Sequence, residues 1–404
     1  MATTSFIYHA LGLVGYDHLK TEYKNGAVYH HVKRKHDERY CAGCNANWHH
    51  LTMDGRFERC FLALPIGKRS QYVVLHGHEQ NCSVCGKTLR EPIVFAKGKR
   101  QRMKSFERYV VELCQIAPIK HVAQLLSIGW DTVKEIFKEH LEHRLSKRKL
   151  GQVRYIAIDE FSVRKGHQYM TVVLDLETGE ILFVNEGKDA EAVLPFLYKL
   201  KRKKARLSAV AIDMSPAYIK AVREVFPDID IVHDPYHVVA MVNQAIDETR
   251  RDIARDLYGT ERQCIKGSRF LLLKGMENLS KNGFDRLMNL TEINEPLYLA
   301  YLLKEDLRMF WAFDNEKSGR NFLDHWISQA KDLGIKHFTK LAETIERHRQ
   351  GLLAYFNHRI STAPLEGMNN KIKTLKRQAY GFRDNWYFKL RLYFIHESIP
   401  AFPG

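Results

Sequence analysis

Asp159 closes the apolar run Tyr155-Ile-Ala-Ile158, and Asp213 closes a second one, Val210-Ala-Ile212. Taken singly, an aspartate ending a short strand is most often a turn or cap residue. Two of them on neighbouring strands bring both carboxylates to one sheet edge, within reach of shared divalent ions. Two-metal phosphoryl transfer needs that arrangement. Hard oxygen ligands hold two ions about 3.5–4 Å apart, one activating the attacking oxygen and one stabilising the leaving oxygen. A third carboxylate is required, and the candidate is Glu366, near the start of a late helical segment in Ser361-Thr-Ala-Pro-Leu-Glu366-Gly-Met-Asn-Asn370.

A different metal chemistry is written into the cysteines. Cys41 and Cys44 form one C-x2-C pair, and Cys82 and Cys85 form another. Two thiolates three positions apart on a tight turn can point at one ion, and two such turns complete the closed tetrahedral shell of a structural zinc. Cys60, His76 and His78 lie between the pairs and could substitute. Cys114 and Cys264 stand alone in helical patterns and read as small core residues.

Certain elements must hold these groups in place. The first 95 residues are short, turn-punctuated apolar runs such as Phe57–Leu64 and Gln71–Leu75, which predict β-hairpins. Ser105 to Leu145 turns helical, and inside it Ile119–Leu126, a Ser127-Ile-Gly129 turn and Trp130–Leu141 match a helix-turn-helix with glycine in the turn. Strands are predicted at Tyr155–Ile158, Tyr169–Leu174, Ile181–Val184, Leu207–Ile212 and Ile229–Val232, with a Lys165-Gly166 turn between the first two. Helices are predicted at Ala190–Lys204 and Pro216–Val225. This β-β-β-α-β-α-β order is that of ribonuclease H. From about Val238 to Phe356 the chain reads as all helix, with Trp311 and Trp326 as core residues; a helix, a Gly381 break and another helix follow, and Glu397 reads as a surface residue of the last.

Lys plus Arg number 63 against 47 Asp plus Glu, a formal charge of +16, which favours a polyanionic partner through counterion release. The basic residues cluster, as in Lys97–Arg108, Arg144–Lys149 and Lys201–Arg206. No apolar stretch approaches the roughly 20 residues that span a bilayer. Met1 to Tyr16 has no basic residue ahead of its apolar ones and does not read as a secretory signal, so a cytoplasmic protein with reduced cysteines is expected.

The segments Ile158-Asp-Glu-Phe-Ser-Val-Arg-Lys-Gly-His-Gln-Tyr169 and Glu366-Gly-Met-Asn-Asn-Lys-Ile-Lys-Thr-Leu-Lys-Arg-Gln-Ala-Tyr-Gly-Phe-Arg383 closely resemble the DDE transposases of bacterial insertion sequences, specifically the ISL3 family. The resemblance runs over nearly the whole chain. It implies an N-terminal zinc ribbon at 1–95, a helix-turn-helix at 96–150, and a ribonuclease-H-like α/β core at 151–245. An all-α insertion at 246–355 would interrupt that core, and 356–404 would return to it carrying the catalytic Glu. Asp159, Asp213 and Glu366 would be the catalytic residues, holding two Mg²⁺ or Mn²⁺ per site, with structural Zn²⁺ on Cys41, Cys44, Cys82 and Cys85.

Asp234-Pro-Tyr-His237 resembles a D-x-x-H element near the active site of related superfamilies; a helix N-cap Asp with a core His reads equally well. The implied DNA contacts are Lys99, Arg100, Arg102, Trp130 and Lys134 in the first 150 residues. Beyond Glu366 they are Lys371, Lys373, Lys376 and Arg377, tracking phosphates along one helix. The partners implied are terminal inverted repeats and target DNA, bound by a dimer or larger assembly at the bacterial nucleoid. An inactive end-binding regulator and a nuclease that cuts without joining are the alternatives.

Overall fold

The computed structural model describes residues 6–164, 168–379 and 381–396, so the expected Lys165-Gly166 turn and Glu397 lie outside the described residues. The described chain forms two compact units, residues 6–146 and 147–396.

In the first unit a short helix α1 (Phe6–Leu11) precedes a five-stranded sheet. Its strands are β1 (Tyr16–Lys24), β2 (Ala27–Arg34), β3 (Leu51–Leu62), β4 (Gln71–Cys82) and β5 (Thr88–Arg90). The expected hairpins are present. Asn25 and Gly26, both at positive φ, join β1 to β2, the Asn-Gly chemistry of a tight two-residue turn. Along β4, β3 takes one edge, while β2 (parallel) and β5 (antiparallel) share the other.

Three helices follow, α2 (Lys104–Ile116), α3 (Ile119–Leu126) and α4 (Trp130–Ser146), with Val122, Val133, Ile136 and Phe137 buried between them. The helix-turn-helix expectation holds, with one difference in its turn. The left-handed residue is Ser127 (φ 54°), not Gly129. A Cβ on Gly129 would meet only the Thr132 hydroxyl at 3.8 Å, so the turn does not require glycine there.

The second unit is built on β6 (Tyr155–Arg164), β7 (Gln168–Asp175), β8 (Ile181–Glu186), β9 (Ala209–Ile212) and β10 (Asp230–His233), in the order β10-β9-β6-β7-β8. β6 pairs antiparallel with β7 and parallel with β9. Helices α5 (Ala190–Arg202) and α6 (Pro216–Val225) connect the later strands and pack Val193, Phe196, Leu197, Tyr218 and Val222 against Ile156, Ile158, Val210 and Ile212. β9 is buried throughout, as expected of a central parallel strand covered on both faces.

Beyond β10 every described element is helical. The helices are α7 (Pro235–Asp256), α8 (Gly259–Gly267), α9 (Arg269–Leu273), α10 (Lys281–Ile293), α11 (Glu295–Met309), α12 (Glu316–Asp332), α13 (Lys336–Arg347), α14 (Arg349–Leu353), α15 (Tyr355–His358), α16 (Ala363–Gln378) and α17 (Asn385–Tyr393). They enclose their own core of Val242, Ile246, Leu297, Tyr301, Leu323, Trp326 and Phe338. Trp326 is buried, donating its indole N–H to the Leu303 carbonyl at 2.8 Å, while Trp311 is half-buried against the same core.

Two expectations need correction. The boundary at 245/246 cuts through α7, which Pro235 begins at its first turn and no breaker interrupts before Leu257. Cys114 is fully buried as expected, but Cys264 is exposed on the polar face of α8. Among the described residues no helix is long and apolar enough to cross a membrane.

Candidate active site and metal centre

On β6 and β9 the residues Ile156, Ile158, Val210 and Ile212 enter the α5–α6 core, so Ala157, Asp159, Ala209 and Ala211 belong to the opposite face. That face packs Ala209 against Ala354. The parallel register sets Ile158 beside Ile212, and the next residue on each strand is an aspartate. Asp159 is half-buried, and burial pushes its carboxyl above the ordinary range. The Glu160 N–H at 2.8 Å, His237 and Asn369 act against that shift, and the negative charge of Asp213 adds to it. Asp213 Oδ1 accepts the Ser215 N–H at 2.9 Å, fixing the turn into α6. Glu160 follows the alternation to the Ile158 face; burial and then the two aspartates hold its carboxyl up as well.

The late helix reaches this edge by two contacts that the sequence did not disclose. Asp234 occupies the N-cap position of α7 without capping it. Its buried carboxylate instead accepts the Thr362 N–H at 3.1 Å, tying the start of α16 to the end of β10. One turn beyond Glu366, Asn369 donates from Nδ2 to Asp159 Oδ2 at 3.1 Å. The signal for Asn369 was its i,i+3 spacing from Glu366, which puts both on one helix face. Lys376 continues along the helix and donates to the Ser162 and Val163 carbonyls of β6.

Glu366 itself is exposed. Among the described residues the cysteine quartet is the one group of three or more ligand side chains with donor atoms all within 4.8 Å of each other, so Asp159, Asp213 and Glu366 do not all lie within that distance of one another. His237 is half-buried within electrostatic reach of Asp159 and Glu160, and the core histidine here is its neighbour His233.

In the first unit Cys41, Cys44, Cys82 and Cys85 converge. Their loops share one design. The first cysteine's carbonyl accepts an N–H four residues on, from Asn45 in one loop and Gly86 in the other, and both of those residues have positive φ. Cys41 and Cys85 sulfurs lie 3.7 Å apart, and those of Cys44 and Cys82 3.6 Å. Zinc–sulfur bonds of about 2.3 Å in a tetrahedron give sulfur–sulfur edges of about 3.8 Å, so the donors fit such an ion. Amide N–H groups of Gly43 and Cys44 lower the Cys41 thiol to about 6, while against the Ala46 N–H, burial and the neighbouring sulfurs push Cys44 up to about 12. Cys60, His76 and His78 stay outside the quartet; His76 pairs with His31 at 2.8 Å.

The remaining named residues separate by surroundings. Arg100 and Arg102 are paired with Glu107, Glu135 and Glu139, the shortest contact being Arg100 to Glu139 at 2.6 Å. Lys99 is exposed, and so is Trp130, with the Lys134 ammonium 5.8 Å from its ring centroid. Lys371, Lys373 and Arg377 are exposed on α16.

Against known proteins, the profile of a family described as "Transposase" matches residues 156–392, and that of "Helix-turn-helix domain of transposase family ISL3" matches residues 95–141. The transposase for insertion sequence element IS1001 of Bordetella parapertussis is 34% identical over 339 residues, 82% of each chain. The transposase for insertion sequence element IS1557 of Mycobacterium tuberculosis is 30% identical, over 91% of this chain and 88% of its own. The solved Drosophila P element transposase strand transfer complex superposes with a TM-score of 0.40 at 10% identity, over 72% of this chain and 91% of that one.

Proposed function

Since the chain belongs to the ISL3 family of DDE transposases, enzymes that cleave DNA and transfer the cut strand, we propose that Asp159, Asp213 and Glu366 form its reaction centre. The observation that carries this reading is the β6–β9 register, which sets Asp159 beside Asp213 on one face of the sheet. Their mutual repulsion across a half-buried edge fits a pair of hard cations. Asn369 holds one Asp159 oxygen in place, and Asp234 anchors the helix that carries Glu366.

Two divalent ions, Mg²⁺ or Mn²⁺, would activate the attacking oxygen and stabilise the leaving one. In the nicking step water bonds to phosphorus and the 3′-oxygen leaves; in the joining step that 3′-hydroxyl bonds to a target phosphorus and displaces the target's own 3′-oxygen. The cysteine quartet binds structural Zn²⁺, and the unit it folds, with the helix-turn-helix, recognises the element's terminal inverted repeats. A ribbon at 1–95, a helix-turn-helix at 96–150, and a core from 151 whose helical insertion begins within α7 and ends near 355, with 356–404 returning to the core, describe the division of labour. Two ends must be joined, so the working form is at least a dimer. Cleavage and strand transfer of a labelled DNA end in Mg²⁺ test the reading: Asp159→Asn and Asp213→Asn should each abolish both steps, and normal joining by either variant rejects it.

A further inference from the structure

The chemistry above makes no use of the far end of α7. There Arg250, Arg251 and Arg255, together with Arg262 and Lys266 of α8, line a cavity of about 300 Å³ whose remaining lining residue is Ala254. Their counter-charges are few. Asp247 is shared by Arg250 at 2.7 Å, Arg251 at 3.2 Å and Arg269 at 3.6 Å. Asp252 pairs with Arg255 at 2.9 Å while also holding His337 at 2.6 Å. Arg262 and Lys266 have no ion pair among the described residues, and Arg262 Nε is buried without an acceptor. Like charges around a cavity repel one another, and an anion seated there relieves the repulsion. Guanidinium groups suit phosphate in particular, because their forked donors match two of its oxygens.

We propose that the α7–α8 cavity is a phosphate site that grips the backbone of DNA held by this protein. Arg251, Arg255 and Lys266 are exposed, leaving the site open to a polymer. From His237, near the aspartates, to Arg251 the helical rise spans about 20 Å. Backbone phosphates on one strand are spaced about 3.4 Å, so a duplex with one phosphodiester at the aspartates reaches the cavity roughly six base pairs away. The choice of DNA as the occupant rests on the proposed role of those aspartates.

The test uses full-length protein and a labelled random-sequence duplex, with affinity followed against salt. Each lost phosphate contact lowers the logarithmic salt slope by about 0.9. Arg255→Gln/Lys266→Gln, both on exposed side chains, should therefore lower it by about 2 while the melting temperature stays put. An unchanged slope overturns the proposal, and if ATP binding by calorimetry is lost in that same variant, the cavity belongs to a free nucleotide. A reduced slope in this variant alongside normal cleavage by Glu366→Gln would keep the cavity and remove the carboxylate reading on which the choice of DNA rests.

Discussion

Asp159 is held from three directions, by the backbone of Glu160, by the field of His237 and by the amide of Asn369. Asn369 and Glu366 share a helix face, yet their expected roles differ and so do the expected effects of changing them. Glu366→Gln keeps the shape and loses the charge that holds a divalent ion, so nicking and joining should fall by several orders of magnitude while folding and end-binding persist. Cleavage of a labelled end in Mg²⁺ decides this, and normal cutting would take Glu366 out of the site. Asn369→Ala removes a support and not a ligand. Outer-shell losses of this kind cost about 10–100-fold, and the deficit should shrink as Mg²⁺ is raised. A deficit indifferent to Mg²⁺ would mean that Asn369 does not act through Asp159. The aspartates stood out because each closes a short apolar run, although β6 continues through Asp159 to Arg164. Asn369 was present in the quoted motif, but its partner lies 210 positions away and only the folded sheet supplies it.

Between elements, α14 packs closely against β10. A Cβ on Gly351 would stand 2.3 Å from the His233 ring, with no flexible side chain there to give way. Gly351→Ala should therefore cost about 1–3 kcal/mol, read as a lower urea midpoint without a changed slope. His233 adds a pH dependence. Burial, and next the neighbouring His348, depress its imidazole to about 4, while the unfolded chain titrates near the ordinary value. A base depressed on folding contributes stability above the unfolded pKa, and that stability is lost as pH falls through about 6.5 toward 4, to a total of roughly 3 kcal/mol. The urea midpoint should drop across that window, and a His233→Gln variant with the same pH profile would assign the drop elsewhere. Apart from β6, which runs six residues past the predicted Ile158, the strands of this sheet and the helices α5 and α6 could be read to within a few residues, since short β-branched runs and Pro216 announce them. The α7 boundary could not, because a helix shared between two packing environments carries no break in its pattern.

At the scale of the whole molecule, residues 6–146 close on themselves as a unit whose sheet is fastened by the four cysteines. The quartet joins the loop between β2 and β3 to the end of β4, next to the point where Leu51 of β3 pairs with Cys82. Zinc here should therefore be structural, with about one ion per chain by elemental analysis of freshly purified protein. Cys41→Ser/Cys44→Ser should lose both the ion and the folded state of this unit, leaving the second unit's melting transition in place. A fragment ending at Ser146 keeps the zinc ligands, both helices of the helix-turn-helix and the exposed Lys99 and Trp130. It lacks all three carboxylates. That fragment should bind the element's ends with an affinity that falls steeply as salt rises, and it should cut nothing. Arg100 and Arg102 are already committed to three glutamates, so the salt slope should respond to Lys99→Ala more than to Arg100→Ala. Folded, zinc-loaded fragment without salt-sensitive binding to any duplex would move DNA recognition out of the first unit altogether.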